Sequence, residues 1–110
     1  MKDCPWYLVQ NNGYAISVPQ PSQTGSEVHR IAQGFGIRTF HLDGTWFESM
    51  YEQLPTAIDA VRQGVGPILF EAEVVRLDPH SSSDDHRKYR SSGELAGLVE
   101  RDPICVQSAT

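Results

Sequence analysis

The sequence predicts an α/β protein with a mostly parallel sheet, because three apolar runs alternate with two segments of helical spacing. The first run, Trp6 to Gln10, lacks strict alternation of apolar and polar residues, which is typical of a strand buried on both faces. The second and third predicted strands are Ile37 to Leu42 and Ile68 to Leu77. Strands that alternate with helices pair in parallel through right-handed crossovers. The 110 residues are therefore expected to form one domain or part of one.

A first helix is predicted between the first two strands. Thr24 and Glu27 have the spacing of a capping box, in which each side chain satisfies a free backbone N–H, so the helix should begin near Thr24. Apolar residues then recur at helical spacing and form one stripe, namely Val28, Ile31, Ala32 and Phe35. Gly34 and Gly36 are expected to end the helix. His29 lies beside this stripe, where we expect a partly exposed structural histidine.

A second helix is predicted after the turn that follows the second strand. Thr45 and Glu48 have capping-box spacing again. The apolar positions of this helix are Phe47, Met50, Tyr51, Leu54, Ile58 and Val61. Pro55 interrupts the pattern and should kink the helix or break it into two pieces. A short helix over Ser92 to Val99 follows the third strand, whereas Ile104 to Thr110 shows no clear pattern.

Composition argues against two classes of function. Nine Lys and Arg residues against 14 Asp and Glu residues give a net charge of −5, so no basic patch is expected to neutralise nucleic-acid phosphates. No apolar run approaches the ~20 residues of a membrane span, and Met1 to Pro5 lacks the pattern of a signal peptide. Cys4 and Cys105 show neither CxxC nor zinc spacing, so we expect reduced thiols and a cytosolic protein.

The first strand ends in Asn11-Asn12-Gly13-Tyr14, which has two interpretations. Asn-Gly between apolar runs is the strongest short-range signal of a β-hairpin, because both residues tolerate a positive φ. The same amides suit a ligand turn, in which an Asn side-chain oxygen and a backbone carbonyl bind a hard cation such as Mg²⁺. Such a metal would need further ligands from elsewhere. Pro19 and Pro21 should end regular pairing soon after the turn.

A polar loop, residues 78–90, follows the third strand. Parallel sheets bind ligands beyond the carboxyl ends of their strands, so this loop and the Asn turn should open on the same edge. One interpretation is a mobile surface loop; the other is an active-site loop, with His80 just past the strand end. Four cations are placed to pair with Asp84 and Asp85 and order the loop, namely Arg76, Arg87, Lys88 and Arg90. His41, near the turn after the second strand, is expected to be structural.

Two motifs together resemble a known family. They are Gln10-Asn11-Asn12-Gly13-Tyr14-Ala15-Ile16-Ser17-Val18-Pro19 and Arg76-Leu77-Asp78-Pro79-His80-Ser81-Ser82-Ser83-Asp84-Asp85, the second followed by Tyr89-Arg90. With Gly36-Ile37-Arg38, Leu42-Asp43-Gly44 and Gly66-Pro67 between them, they are similar to the alpha subunit of the thiamine-diphosphate-dependent 2-oxo acid dehydrogenases. The resemblance runs from about Lys2 to Leu95 and implies part of a doubly wound, mostly parallel sheet of the thiamine-diphosphate-binding fold.

The resemblance implies a cofactor, thiamine diphosphate, and a Mg²⁺ ion that bridges its diphosphate. Asn12 would give its side-chain oxygen to the metal, and Tyr14 would give its backbone carbonyl. Gln10 matches a position that approaches the diphosphate in the family. His80 would reach the cofactor from the second loop as its catalytic residue.

The resemblance also implies partners and an activity. Four residues would order the loop that helps to receive a lipoyl-bearing acyltransferase component, namely Arg76, Asp84, Tyr89 and Arg90. Ser81 matches a position that is kinase-regulated in some members. A beta subunit or beta half would supply the glutamate that activates the cofactor. The implied reaction is oxidative decarboxylation of a 2-oxo acid with acyl transfer to lipoyl, and the loop favours a branched-chain acid over pyruvate.

The family's metal site also uses an acidic residue in a Gly-Asp-Gly-type turn upstream, and ten residues precede Asn11 here. We therefore expect residues 1–110 to be a partial thiamine-diphosphate-binding domain with exposed sheet edges and little cofactor affinity by itself. The expected compartment is the cytoplasm of a bacterium, with the mitochondrial matrix as the counterpart in a eukaryote. The alternative function is a non-catalytic module that keeps the fold and binds protein partners through the loop.

Overall fold

The computed structural model describes residues 5–109, which form one parallel sheet, one small antiparallel pair and short connecting helices. The strands are β1 (Trp6–Asn11), β2 (Tyr14–Ala15), β3 (Val18–Pro19), β4 (Arg38–Asp43) and β5 (Ile68–Glu73). The α-helices are α1 (Val28–Gly34), α2 (Phe47–Arg62), α3 (Ser92–Gly97) and α4 (Pro103–Ser108). Short 3₁₀ turns cover Gln20–Ser22, His86–Lys88 and Val99–Arg101. The predicted α/β class is confirmed.

The parallel sheet has β5 at its centre, between β1 and β4. Its register brings the last residues of the three strands to the same level, namely Asn11, Glu73 and Asp43. The third strand was predicted to continue to Leu77, but it ends at Glu73 because neither neighbour extends beyond this level to pair with it. The three carboxyl ends therefore form one edge, which is where parallel sheets bind ligands.

The apolar core lies between α2 and one face of the sheet. Successive strand residues point to opposite faces, so Ile68 and Phe70 of the central strand share this face, and both are fully buried. The other buried members of the cluster are Leu42, Ala57 and Ala60. α1 packs against β4 and β5 on the opposite face, over the buried side chain of Glu71. Helices on both faces give the doubly wound arrangement.

α1 begins after Glu27 and not near Thr24, so the predicted capping box is wrong. The Thr24 hydroxyl donates to the carbonyl of Ser26 at 2.8 Å, and the Glu27 side chain makes no cap hydrogen bond. The start of the helix is satisfied by Glu71, whose Oε2 accepts the backbone N–H of His29 at 2.7 Å. An acceptor from the central strand has taken the place of a local one, since the free N–H groups of a helix start can donate to any acceptor within reach.

α2 differs from its prediction in two ways. Its capping box is absent, because the Thr45 hydroxyl donates to Asp43 Oδ1 at 2.6 Å and Glu48 accepts from the Trp46 indole at 3.0 Å. The helix is also continuous, so of the two outcomes predicted at Pro55 the break is wrong, and the kink stays a prediction. Pro55 lies on the exposed side of the helix, where water can replace the hydrogen bond that the proline ring cannot donate.

Several apolar side chains that were predicted to be buried are exposed. β1 is an edge strand and Trp6 is 41% exposed, so burial on both faces is wrong for this strand. Of the apolar stripe on α1, Ala32 is buried, but Ile31 is exposed and Phe35 is 81% exposed. The cause is that no other described element covers β1 or the outer side of α1. The expected exposed sheet edge is thus present.

The C-terminal part folds as short helices. α3 matches the predicted helix, and Ser91 Oγ caps it by accepting the Glu94 N–H at 3.1 Å. α4 had no predicted counterpart; Asp102 Oδ1 caps it by accepting the Ile104 N–H at 2.9 Å. Cys105 has an exposed free thiol, and the expectation for Cys4 lies outside the described residues. Within residues 5–109, no helix is long and apolar enough to cross a membrane.

Gly44 follows β4, where its N–H donates to the Glu73 carbonyl at 2.7 Å. A Cβ at this position would lie 2.8 Å from that carbonyl oxygen and 2.8 Å from Val74 Cγ1. Because the backbone cannot move aside without breaking the strand end, we expect Gly44→Ala to lower the free energy of unfolding by about 1–3 kcal/mol. Gly25→Ala is the matched control, since a Cβ there meets no atom within 4 Å. Urea titration measures both, and equal midpoints would contradict the steric assignment.

Candidate functional site

The Asn turn lies at the carboxyl edge of the sheet, directly after β1. Asn11 Nδ2 donates to Gln20 Oε1 at 2.8 Å and to Glu71 Oε1 at 2.7 Å, and its Oδ1 accepts the Gly13 N–H at 2.9 Å. Gly13 has a φ of 79°, in the left-handed region that favours glycine. Asn11 therefore has a structural role, in which it ties the turn to the central strand.

Asn12 and Tyr14 form the second half of the turn. Asn12 Oδ1 accepts the Tyr14 N–H at 3.0 Å. Tyr14 lies opposite Pro19 in the β2–β3 pair, and the next bond of the ladder runs from the Gln20 N–H to the Gly13 carbonyl at 2.8 Å. Hydrogen-bonded and non-hydrogen-bonded pairs alternate along an antiparallel ladder, so Tyr14 is in a non-hydrogen-bonded pair. Its carbonyl therefore points away from β3, on the same side as its N–H and the Asn12 oxygen.

The hairpin found here is not the one that the Asn-Gly pair predicts. β1 pairs with β5 and not with β2, while the hairpin joins β2 to β3 around Ile16 and Ser17. Pro19 was expected to end regular pairing, yet it takes part in β3, because its place opposite Tyr14 needs no N–H donor. The Asn-Gly pair instead carries the chain out of the sheet and into a separate hairpin.

Two shallow cavities flank the Asn turn. The first, of ≈ 180 Å³, has Asn12, Glu73 and Arg101 among its lining residues. The second, of ≈ 200 Å³, is lined in part by Gln10, Asn12 and Tyr14. Asn12 contributes to both, so a ligand held by its oxygen would have space on either side.

Asp84 organises the loop 78–90 from within. Its Oδ2 accepts the His80 N–H at 2.9 Å and the Tyr89 hydroxyl at 2.6 Å. These hydrogen bonds from Tyr89 and from the His80 backbone lower the pKa of Asp84 below its ordinary 3.8. Burial and the bond to Asp84 raise the pKa of Tyr89 above 10.0. At neutral pH the pair therefore consists of a carboxylate acceptor and a phenol donor.

The cations of the loop do not all pair with Asp84 and Asp85 as predicted. Arg87 Nε and Nη2 donate to the two oxygens of Asp85 at 2.8 and 2.9 Å, and this pairing lowers the pKa of Asp85 to about 2. Arg90 pairs with Glu94 at 3.0 Å and with neither loop aspartate. Arg76 reaches Asp84 indirectly, through the hydroxyl of Tyr89.

Arg76 and Arg90 connect the loop to the Asn turn. Arg76 Nη2 donates to the Tyr89 hydroxyl at 2.6 Å, and Arg90 Nη1 donates to the Arg76 carbonyl at 2.9 Å. Their guanidinium groups lie 5.5 and 4.9 Å from the centroid of the Tyr14 ring, within the range of cation–π attraction. Arg90 is 5% exposed, so its contacts are largely shielded from water. Tyr14 thus contacts the loop with its ring while its backbone belongs to the turn.

Glu94 belongs to the candidate site by its contacts, although neither motif in the sequence contains it. Both of its carboxylate oxygens lie 3.0 Å from the Tyr14 hydroxyl, and Oε1 also accepts from Arg90. The spacing of Arg90 and Glu94, four residues apart, is a recognisable ion-pair signal in the sequence. The contact with Tyr14 spans 80 residues, and no local pattern predicts it.

Gln10 lies beside the Asn turn, whereas the His80 side chain does not line either cavity of that turn. The His80 ring is exposed and makes no hydrogen bond to another residue in the described range, while its backbone is held by Asp84. Gln10 lines one cavity beside Asn12, whereas His80 lines neither cavity of the turn. The structure brings Tyr14 together with Arg76, Tyr89 and Arg90, and the approach of His80 to a cofactor stays a prediction.

His29 is partly exposed, as predicted, with a side chain that is 12% exposed and Nδ1 2.6 Å from Glu71 Oε2. His41 is more open, and its Nε2 lies 2.9 Å from Glu73 Oε1. Burial raises the pKa of Glu71, but hydrogen bonds from His29 and Asn11 together outweigh it and leave that pKa below 4.5. Glu71 was not singled out from the sequence, although a charged residue inside an apolar central strand was the available signal.

Comparison with known proteins finds relatives along almost the whole chain. A family model described as "Dehydrogenase E1 component" matches residues 3–107. The chain is 38% identical over 102 residues to a 3-methyl-2-oxobutanoate dehydrogenase subunit alpha from Mycobacterium tuberculosis, a match that covers 92% of this chain and 28% of that protein. It is 35% identical over 101 residues to a pyruvate dehydrogenase E1 component subunit alpha from Rickettsia felis, covering 91% and 31%. A 2-oxoisovalerate dehydrogenase subunit alpha from Bacillus subtilis is 35% identical over 104 residues, covering 94% and 32%.

The matched region is a limited part of each relative, since the chain spans between 28% and 32% of the length of these three proteins. Their names assign branched-chain 2-oxo acids to two of them and pyruvate to the third. The resemblance inferred from the two motifs is confirmed by the family match. The chain belongs to the dehydrogenase E1 component family.

Proposed function

We propose that this chain carries the metal- and diphosphate-binding turn and the active-site loop of the alpha subunit of a thiamine-diphosphate-dependent 2-oxo acid dehydrogenase. The observation that supports it most is the arrangement of the Asn turn. Asn12 Oδ1 and the outward Tyr14 carbonyl lie on the same side of the β2–β3 hairpin. Two oxygens held in this way by a tight turn suit a hard divalent cation.

The donor set fits Mg²⁺ bound to a diphosphate. Mg²⁺ takes oxygen ligands and usually keeps phosphate oxygens and water in its shell. An amide oxygen has two lone pairs, so Asn12 can bind a cation while it still accepts the Tyr14 N–H. Neither ligand is charged, so the diphosphate and an acidic residue elsewhere in the protein would supply the negative charge. Gln10, in the adjoining cavity, would donate an amide hydrogen bond to a phosphate oxygen.

The residues of this chain position and enclose the bound group. When bound, thiamine diphosphate would supply the electron sink for decarboxylation of a 2-oxo acid. Asp84 and Tyr89 hold the loop in one conformation, and Arg76 and Arg90 attach it to Tyr14. The metal-binding turn and the loop therefore act as one unit. His80 would approach the cofactor from the start of this loop.

We extend the proposal to substrate and partners. The loop sequence from His80 to Asp85 favours a branched-chain 2-oxo acid over pyruvate, and relatives named for both kinds match the chain. A beta subunit or beta half would complete the active site, and a lipoyl-bearing acyltransferase component would take the acyl group at the ordered loop. The cytoplasm, or the mitochondrial matrix in a eukaryote, stays the predicted compartment.

Replacing Asn12 tests the metal role directly. We expect Asn12→Ala to weaken Mg²⁺-dependent binding of thiamine diphosphate by more than about 100-fold, because losing a direct ligand should exceed the ~10–100-fold effect of disturbing an outer partner. The measurement is calorimetric titration of the full-length alpha chain assembled with its beta partner. Asn12→Asp is the control, since its carboxylate keeps an oxygen for both the metal and the Tyr14 N–H. Undiminished binding by Asn12→Ala would show the proposal to be wrong.

Replacing Asp84 tests the ordering of the loop. Asp84→Asn removes the charge from the acceptor that the His80 N–H and the Tyr89 hydroxyl share. Charge-assisted hydrogen bonds are roughly twice as strong as neutral ones, so we expect tryptic cleavage at Arg87 and Lys88 to become roughly five- to ten-fold faster. Asp78→Asn makes the same charge change at an exposed position of the loop and should leave the rate unchanged. Equal rates for the two variants would contradict the assignment.

The same contacts give the loop a pH dependence. The pKa of Asp84 is held below 3.8 by hydrogen bonds from Tyr89 and from the His80 backbone. Its contribution to loop order is therefore complete above pH 3.8 and is lost as the pH falls through the lower folded value. The amide NMR signal of His80 should titrate with a midpoint below 3.8, and Asp84→Asn should abolish that transition. A midpoint at or above 3.8 would disprove the stabilising role of the carboxylate.

A further inference from the structure

Two histidines and a buried glutamate meet beneath the start of α1. The His29 and His41 rings are stacked, with centroids 4.3 Å apart and planes inclined by 15°. His29 Nδ1 lies 2.6 Å from Glu71 Oε2. One potential ligand atom from each of His29, His41 and Glu71 lies within 4.8 Å of the other two. The three residues come from α1, β4 and β5, so they are brought together by the fold and not by the sequence.

The surroundings of this cluster are negative. Glu27 Oε2 lies 3.6 Å from His29 Nε2, and Glu73 Oε1 lies 2.9 Å from His41 Nε2. Arg30 pairs with Glu27 at 2.8 Å and offsets one of the three carboxylates. Two imidazoles thus face an excess of carboxylate, which favours binding of a further cation.

The buried, hydrogen-bonded Glu71 distinguishes this cluster from a chance grouping of surface residues. It is 1% exposed, and its orientation is set by Asn11 Nδ2 at 2.7 Å and by the His29 N–H at 2.7 Å. A metal ligand oriented by outer hydrogen bonds binds more tightly, because less freedom is lost when the metal enters. His41 lies at the open side of the cluster, with a side chain that is 37% exposed, so an ion can enter from solvent.

We propose that His29, His41 and Glu71 form a binding site for a divalent transition metal of the zinc class, separate from the Asn12 turn. Two imidazoles and one carboxylate are a known zinc donor set, and they leave a fourth position for water. Imidazole selects such ions over Mg²⁺, which prefers oxygen. Ligand atoms about 2.0–2.1 Å from a tetrahedral zinc lie roughly 3.3 Å apart. The exposed His41 ring therefore has to close a gap of roughly 1.5 Å or less, and the His29 and Glu71 ligand atoms, now 2.6 Å apart in a hydrogen bond, have to separate by roughly 0.7 Å as the metal replaces the shared proton.

A metal bound at this site would stabilise the packing of α1 on the sheet. A metal held by α1, β4 and β5 fastens the helix to the sheet, and Asn11 links the same glutamate to the Asn turn. Binding to the folded state alone raises stability in proportion to the logarithm of metal concentration. We therefore expect the thermal midpoint of the full chain to rise progressively with the logarithm of the Zn²⁺ concentration once that concentration exceeds the dissociation constant.

The test uses Co²⁺ as a spectroscopic probe of the full chain, freed of metal by a chelator. Excess Mg²⁺ is present throughout, so that the oxygen ligands at Asn12 and Tyr14 do not take up the probe. We expect one Co²⁺ per chain, with the visible absorption of a tetrahedral nitrogen and oxygen site, and displacement by Zn²⁺. A spectrum that does not saturate, or that corresponds to an octahedral hydrated ion, would overturn the proposal.

Variants locate the site. His41→Ala should weaken Co²⁺ binding by at least ~10-fold without unfolding the chain, because His41 is exposed and makes no hydrogen bond to the start of α1. His86→Ala is the control, since His86 belongs to the loop and should leave Co²⁺ affinity unchanged. Equal affinities of His41→Ala and the unaltered chain would show that the cluster is only a structural contact between Glu71 and α1. Loss of binding in His41→Ala alone supports the site whatever the fate of Asn12→Ala.

Discussion

The carboxylate of Glu71 sets the geometry on one side of the sheet. It is buried in the central strand, where an unpaired charge would be strongly destabilising, so both of its oxygens need hydrogen-bond donors. One oxygen serves the start of α1 through His29, and the other serves the Asn turn through Asn11. A single buried charge therefore positions both the helix and the turn relative to β5. The location of Asn12 and Tyr14 follows from that constraint as much as from their own hydrogen bonds.

Local patterns predicted the fold where the fold depends on local chemistry. Apolar runs and helical spacing were sufficient for the parallel sheet and for α2, because burial of those faces requires the pattern itself. The capping boxes failed because other partners were available: Glu71 caps α1 from the central strand, and Asp43 takes the Thr45 hydroxyl. Phe35 continued the stripe of α1 and is nonetheless exposed, because an apolar position becomes core only where another element covers it.

In the candidate site, too, local sequence patterns predicted some residues, and contacts between distant residues were not predicted. The two motifs contained every residue from Gln10 to Tyr14, and the resemblance they carry was confirmed by the family match. Glu94 and Glu71 were missed, because their contacts with Tyr14 and with Asn11 join distant parts of the chain and leave no periodic trace. The prediction that Pro19 ends regular pairing was wrong for a different reason. A proline is excluded from hydrogen-bonded ladder positions only, and its place opposite Tyr14 is the other kind.

Tyr14 joins two surfaces that are otherwise built from different parts of the chain. Its backbone belongs to the Asn turn, and its ring and hydroxyl contact Arg76, Arg90 and Glu94 around the loop. A ligand at the turn and a partner at the loop would therefore contact the same residue, so their binding free energies would be linked wherever one of them changes the position of Tyr14. Such linkage is reciprocal: a ligand at the turn that favours one position of Tyr14 changes affinity at the loop by the same factor as a loop partner changes affinity at the turn.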